Sequence, residues 1–205
     1  MRMKTGKKRN TKGTLLISVG LLLIAAALVL VLYNAWDAKR AEKASTAIVE
    51  KLEAVISDQQ SNQLDDSYLN KEMPTKEIDG YLYIGILDIP SLGLHLPVMA
   101  SWDYDRLSIS PCRYTGSYYL DDMVICAHNY IKHFSPIKHI DIGTDVYFTT
   151  VEDVVYHYQV SNRETLKPTA VEEMVGQTKE DWDLTLFTCN TGGQTRCAVR
   201  CSRVR

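Results

Sequence analysis

Three residues in the C-terminal half of the chain have the types that acyl transfer requires: the thiol of Cys189, the imidazole of His128 and the guanidinium of Arg196. A thiolate attacks a carbonyl carbon, an imidazole moves protons to the leaving group and from the entering one, and a guanidinium stabilises charge developing on the carbonyl oxygen. A free cysteine more often packs as a small core residue than it reacts, so its context decides. Cys189 closes the run Leu184-Thr185-Leu186-Phe187-Thr188, an apolar, β-prone strand ended by the turn residues Asn190-Thr191-Gly192-Gly193. His128 follows a second such run, Met123-Val124-Ile125-Cys126-Ala127, and Arg196 opens a third, Cys197-Ala198-Val199. Each group therefore stands at a strand end, where a rigid element holds a side chain beside an accessible loop.

The other groups of these types sort by position. Arg200 competes with Arg196, because even spacing on one strand puts both on the same face. His95, His133, His139 and His157 lie in polar or loop-like stretches and read as surface or supporting residues. Five cysteines are an odd number, so at least one stays free or pairs with another chain. Cys197 and Cys201 are separated by about 13 Å at strand rise, too far for a disulfide. Cys112 and Cys126 can pair in principle, but the simplest reading is four core thiols and one kept for chemistry. A zinc site from Cys126, His128 and Cys189 lacks the short Cys-x-x-Cys spacing of structural sites. No metal and no cofactor is expected.

The elements that position these groups are short strands. Strand-like runs cover 81–89, 94–99, 123–127, 144–150, 153–160, 184–189 and 196–204, separated by turn residues such as Ser91-Leu92-Gly93 and Asp141-Ile142-Gly143. Helical pattern is sparse: a turn at Asp103 to Leu107, something short between Ile131 and His139, and a helix from Thr169 to Val175. Many short strands with few helices predict an all-β sandwich or closed barrel of single-domain size.

The N-terminal third differs. Thr14 to Tyr33 is free of charge and apolar almost throughout, and as a helix it rises about 30 Å, enough to cross a bilayer core. Arg2, Lys4, Lys7, Lys8, Arg9 and Lys12 precede it with no acidic residue among them, so the positive-inside rule puts residues 1–13 in the cytoplasm and the rest outside. The run is longer than a typical signal core and no clear small-x-small site follows, which favours an uncleaved, single-pass anchor at 14–33. Residues 34–77 read as an extracellular helical stalk and linker, with Ile48, Leu52, Val55 and Ile56 at helical spacing. That stripe is narrow and suits a partly solvated stalk, although it could instead fold back onto the domain. Ser61 to Asp79 is polar and acidic, a linker, and the catalytic domain spans 78–205. Residues 1–43 hold nine Lys/Arg and two Asp/Glu, a net of +7, so the whole-chain charge of −2 leaves −9 on residues 44–205. An acidic exported part argues against nucleic acid as a partner.

Taken together, Thr185-Leu186-Phe187-Thr188-Cys189, the strand leading into Ala127-His128-Asn129, and the arginine opening the last strand resemble the signature of the sortases, cysteine transpeptidases of Gram-positive cell surfaces. The order His128, Cys189, Arg196 is the family's, and Tyr83-Ile84-Gly85-Ile86-Leu87-Asp88-Ile89-Pro90 with Leu96-Pro97-Val98 resembles its opening strands. The resemblance implies a closed β-barrel of about eight strands. It also implies cleavage of a Leu-Pro-x-Thr-Gly-like C-terminal sorting signal on an exported protein, a thioester on Cys189, and transfer to an amine of a peptidoglycan precursor or a pilin lysine. In that scheme His128 is the acid and base, Arg196 orients substrate and stabilises the oxyanion, and Thr188 and Asn129 are substrate-binding. The arginine, an apolar run and a second basic residue match Arg196 to Arg200 and favour Arg196 as the catalytic one. The expected class is B or D ahead of A or C: the absence of a lid and of a second apolar span leans against the pilin-polymerising class, and His128-Asn129-Tyr130 with the helical stalk leans toward the anchoring classes; a pilin-polymerising enzyme is the alternative. Papain-like peptidases place cysteine before histidine, and L,D-transpeptidases carry a Gly-Cys context missing at Cys189. A catalytically silent, membrane-tethered binding module is the rival outside enzymes.

Overall fold

The computed structural model describes residues 11–57, 72–175 and 182–205. Its first element is a long helix, α1 (Thr11–Ser57), and the chain divides within it into two compact units, Met1–Lys39 and Arg40–Arg205. In the first unit the side chains from Leu15 to Trp36 are exposed and overwhelmingly apolar, and the helix is long and apolar enough to cross a membrane. Tyr33 and Trp36 lie together at the end of this stretch, ring centroids 6.2 Å apart.

The second unit is a closed barrel. Its strands are β1 (Lys76–Ile78), β2 (Tyr81–Ile89), β3 (Leu94–Met99), β4 (Cys112–Thr115), β5 (Met123–Cys126), β6 (Asp145–Thr150), β7 (Val155–Leu166), β8 (Leu184–Cys189) and β9 (Arg196–Arg203). They are ordered β1-β2-β3-β4-β5-β8-β9-β7-β6, and a further pairing of β2 with β6 closes eight of them into a ring. Closure depends on Gly85: a Cβ there would stand 2.2 Å from the carbonyl oxygen of Thr149, so a side chain would push the two sealing strands apart. Two short helices, α2 (Tyr104–Leu107) and α3 (Val171–Val175), sit in the connections. The side chain of Asp103 caps α2, accepting from the N–H of Arg106.

Period-2 alternation decides which side chains fill the barrel. Leu184 and Leu186 of β8, with Cys197, Val199 and Cys201 of β9, point inward to the main core, whereas Thr185, Phe187, Ala198 and Arg200 face outward. The outer face is covered in two places. Ile48, Val49, Leu52 and Ile56 of α1 pack on Ile78, Tyr83, Ile86, Met99, Cys112, Cys126 and Val151, and Met174 of α3 packs on Leu166 and Ala198.

The strand runs expected from the sequence are all present, the run at 153–160 extending further to Leu166, and β1 and β4 are added to them. β4 escaped notice because it is four residues long and carries Arg113 between Cys112 and Tyr114. Of the two readings of residues 35–60, α1 packs on the barrel from Arg40 onward rather than standing as a solvated stalk, so the compact unit begins well before residue 78. Val49 joins Ile48, Leu52 and Ile56 on the buried face, widening the stripe, while Val55 is 37% exposed. Most of the Ser61–Asp79 linker, and most of the basic segment 1–13, lie outside the described residues.

Candidate active site

β8 is the element on which the site is built. On one side it pairs in parallel with β5, Cys126 opposite Phe187, and the N–H of Ala127 extends the ladder by donating to the carbonyl of Phe187 at 3.2 Å. Because parallel strands end at the same rim, the residue leaving β5, His128, emerges beside the Cys189 end of β8. On the other side β9 runs antiparallel with Arg196 directly opposite Cys189. The connection between them is a tight turn: the N–H of Asn190 donates to the carbonyl of Thr195 at 2.9 Å, its amide nitrogen to Oγ1 of Thr195 at 2.8 Å, and Gly192 and Gly193 take positive φ, which glycine adopts without strain.

Cys189, Thr188, His128 and Arg196 line one groove of about 200 Å³. Its other walls are apolar and aromatic. Trp102 stacks on Tyr114 at 5.3 Å, Tyr114 meets Phe187 edge-on at 5.4 Å, and Trp102 meets Tyr104 edge-on at 5.9 Å. Leu107, Val171 and Met174 extend the apolar lining. An apolar channel ending on a thiol, an imidazole and a guanidinium suits an extended peptide with apolar side chains and one reactive carbonyl.

Each expected site residue has a definite place. Arg196 donates through Nη1 to the carbonyls of Gly193 (3.0 Å) and Thr195 (3.2 Å); these bonds tie the guanidinium to its own turn and leave Nε and Nη2 without a partner among the described residues. Thr188 is buried, and its Oγ1 donates to the carbonyl of Ala127 at 2.8 Å, fastening the strand that carries Cys189 to the residue before His128. Asn129 does not line the groove; its Oδ1 accepts from Nζ of Lys138 at 2.6 Å. The rival Arg200 is 1% exposed and enclosed under α3, away from the groove lining. Even spacing does put both arginines on one face, but only Arg196 is left uncovered.

The cysteines divide as expected, with Cys112, Cys126, Cys197 and Cys201 buried, Cys189 half-buried, and no disulfide formed. Burial pushes the Cys112 thiol up to about 12 and those of Cys126, Cys197 and Cys201 upward as well, which keeps these four protonated and inert.

Of the two roles expected of His133, surface and supporting, it takes the supporting one. It is fully buried beneath the His128 loop, and burial, with a lesser contribution from the nearby His128, pushes its imidazole down to about 4. Tyr130 lies between the two, 4.9 Å from His128 and 5.4 Å from His133 ring to ring, and the N–H of Phe134 donates to the carbonyl of His128 at 3.2 Å. The polar run Asn129 to Lys132 hid this anchoring; the adjacent Phe134, also fully buried, was the one local signal of an inward turn. No pattern in the sequence pointed to Trp102 and Tyr114 as groove walls, because Trp102 sits in the irregular β3–β4 connection and Tyr114 on the short β4.

Residues 87–204 match the model of the sortase domain family. The chain belongs to the sortase family. Sortases are cysteine transpeptidases, and this sortase is therefore an enzyme of that kind. It is similar to the crystal structure of sortaseC1 from Streptococcus suis, at 25% identity over 60% of this chain and 73% of that one, with a TM-score of 0.52. The fold is also like that of a pilus-related sortase C of Group B Streptococcus (24% identity, 82% and 94% covered, TM-score 0.54). A Clostridium perfringens sortase D5 transpeptidase shares it too (17% identity, 82% and 99% covered, TM-score 0.55). No curated protein matches this sortase.

Proposed function

We propose that this sortase is a membrane-anchored, extracellular transpeptidase that cleaves a Leu-Pro-x-Thr-Gly-like C-terminal sorting signal and transfers the protein to an amine of cell-wall peptidoglycan. The observation that carries this reading is the single groove in which Cys189, His128 and Arg196 meet under an apolar wall. The Cys189 thiolate attacks the carbonyl carbon of the threonine. As the tetrahedral intermediate collapses, the C–N bond to glycine breaks, His128 protonates the leaving amine, and a thioester remains. An incoming amine then attacks the thioester, His128 takes its proton, and Cys189 is released. Arg196, with Nε and Nη2 uncommitted, stabilises both oxyanions. Thr188 acts by holding β8 to the His128 strand, and Asn129 through the loop that it shares with His128.

The uncharged stretch Thr14–Tyr33 behind a basic segment supports a single-pass anchor with its N-terminus in the cytoplasm. Similarity to sortase C structures favours a second reading, polymerisation of pilins, in which the amine comes from a pilin lysine. Both readings share every step except the identity of the acceptor.

The test is to incubate full-length protein in detergent micelles with Leu-Pro-x-Thr-Gly-like and Asn-Pro-x-Thr-Gly-like peptides and follow the intact mass. A covalent acyl adduct absent in Cys189→Ala, resolved to an amide by added amine, is the expected result. No adduct and no cleavage by folded protein across the panel would sink the reading.

A further inference from the structure

Arg200 is a fully buried cation that the reaction does not use. It faces outward from β9 beneath the connection between β7 and β8. Its Nε donates to Oε1 of Glu164 at 2.7 Å, its Nη1 to the carbonyl of Met174 and Oγ1 of Thr185 at 2.8 Å each, and its Nη2 to the carbonyl of Glu173 at 2.5 Å. The guanidinium carbon lies 4.3 Å from the centroid of the Trp182 ring. A charge this deep is tolerated only when its donors are satisfied and a counter-charge is close.

The partners come from separate pieces of the structure. Glu164 belongs to β7 and Thr185 to β8, whereas Glu173 and Met174 offer backbone carbonyls of α3. Trp182 lies where the chain returns to β8, so one side chain grips the β7–β8 connection at α3 and again at its far end. The same connection supplies Val171 and Met174 to the groove.

We propose that Arg200 is a positioning residue for substrate: it clamps α3 and Trp182 to the outer face of the barrel and thereby fixes the groove wall formed by Val171 and Met174. This rests on the groove being the peptide site. A lysine ammonium cannot bond to partners spread around a planar fork, so the assignment is specific to arginine.

The experiment compares full-length wild type, Arg200→Lys and Arg200→Met in detergent by three measurements. These are kcat and KM for a cleaved sorting peptide, the rate of Cys189 alkylation by iodoacetamide, and amide exchange across Val171–Val175. Arg200→Met should raise KM about tenfold or more while kcat and alkylation stay within about threefold, with Arg200→Lys between the two and faster exchange in α3. Unchanged KM, or a fall in kcat at unchanged KM, overturns the assignment. Should Arg200→Met not fold, Glu164→Gln and Trp182→Leu loosen the same clamp, and both must raise KM; unchanged KM in the pair overturns it equally. If wild type cleaves no peptide, the transpeptidase reading falls, and exchange across α3 alone decides the clamp: no change on substituting Arg200 rejects it.

Discussion

Cys189 and Arg196 occupy directly opposed positions on β8 and β9, joined by a turn closed by the N–H of Asn190 donating to the carbonyl of Thr195. The thiol and the guanidinium are thus carried on facing rungs of the ladder itself. Arg196→Ala should lower kcat/KM for peptide cleavage by about 10²- to 10³-fold, the usual loss for one oxyanion donor. Alkylation of Cys189 by a small uncharged reagent should change much less, because no oxyanion forms in that reaction. A comparable fall in both would show that Arg196 acts on the thiol instead.

Thr188 contributes a buried hydroxyl to the carbonyl of Ala127. Thr188→Val keeps the shape and removes the donor, so unfolding in urea should show a loss of about 1–3 kcal/mol from the stranded carbonyl. Because that bond ties β8 to the residue preceding His128, kcat should fall as well. A variant with wild-type stability and activity would remove this tie from the account.

The buried His133 makes stability pH-dependent. Its imidazole is pushed from 6.5 down to about 4 in the folded state, so between those values the unfolded chain binds more protons. Its contribution is fully present above about pH 6.5, is lost as pH falls, and levels off below about pH 4; the total is on the order of 3 kcal/mol. His133→Leu should flatten the denaturation midpoint across that window. An unaltered pH profile would count against burial as the cause.

Leu52 has no exposed surface and lies between α1 and the barrel. Leu52→Ala should cost about 2–5 kcal/mol, readable as a lowered Tm, whereas Val55→Ala on the exposed side should cost little. Equal, small effects would mean that the helix and barrel do not stabilise each other.

How much of this was legible in the sequence follows from the range of the interactions involved. The strands announced themselves because alternation and turn residues are local, and Cys189, His128 and Arg196 stood out as polar groups at strand ends. The packing of α1 was ambiguous: its apolar stripe has the right period, but only the facing surface of Ile78, Tyr83 and Met99 turns it into an interface. His133, Arg200 and Trp102 were legible least, since burial of a polar or aromatic group in a loop is decided by partners far away in the chain. Arg200 shows this plainly, with partners on β7, α3 and β8 that no spacing rule connects.

The strand order has a consequence for assembly. β9 lies between β7 and β8, and those two have no pairing with each other. During synthesis the barrel must wait with that slot open until the stretch from Arg196 onward has arrived: its pairing with β8 is a local hairpin, but its pairing with β7 joins residues thirty or more apart. The same arrival that closes the sheet delivers the guanidinium opposite the thiol. A nascent chain lacking that strand has neither a sealed barrel nor a guanidinium opposite Cys189.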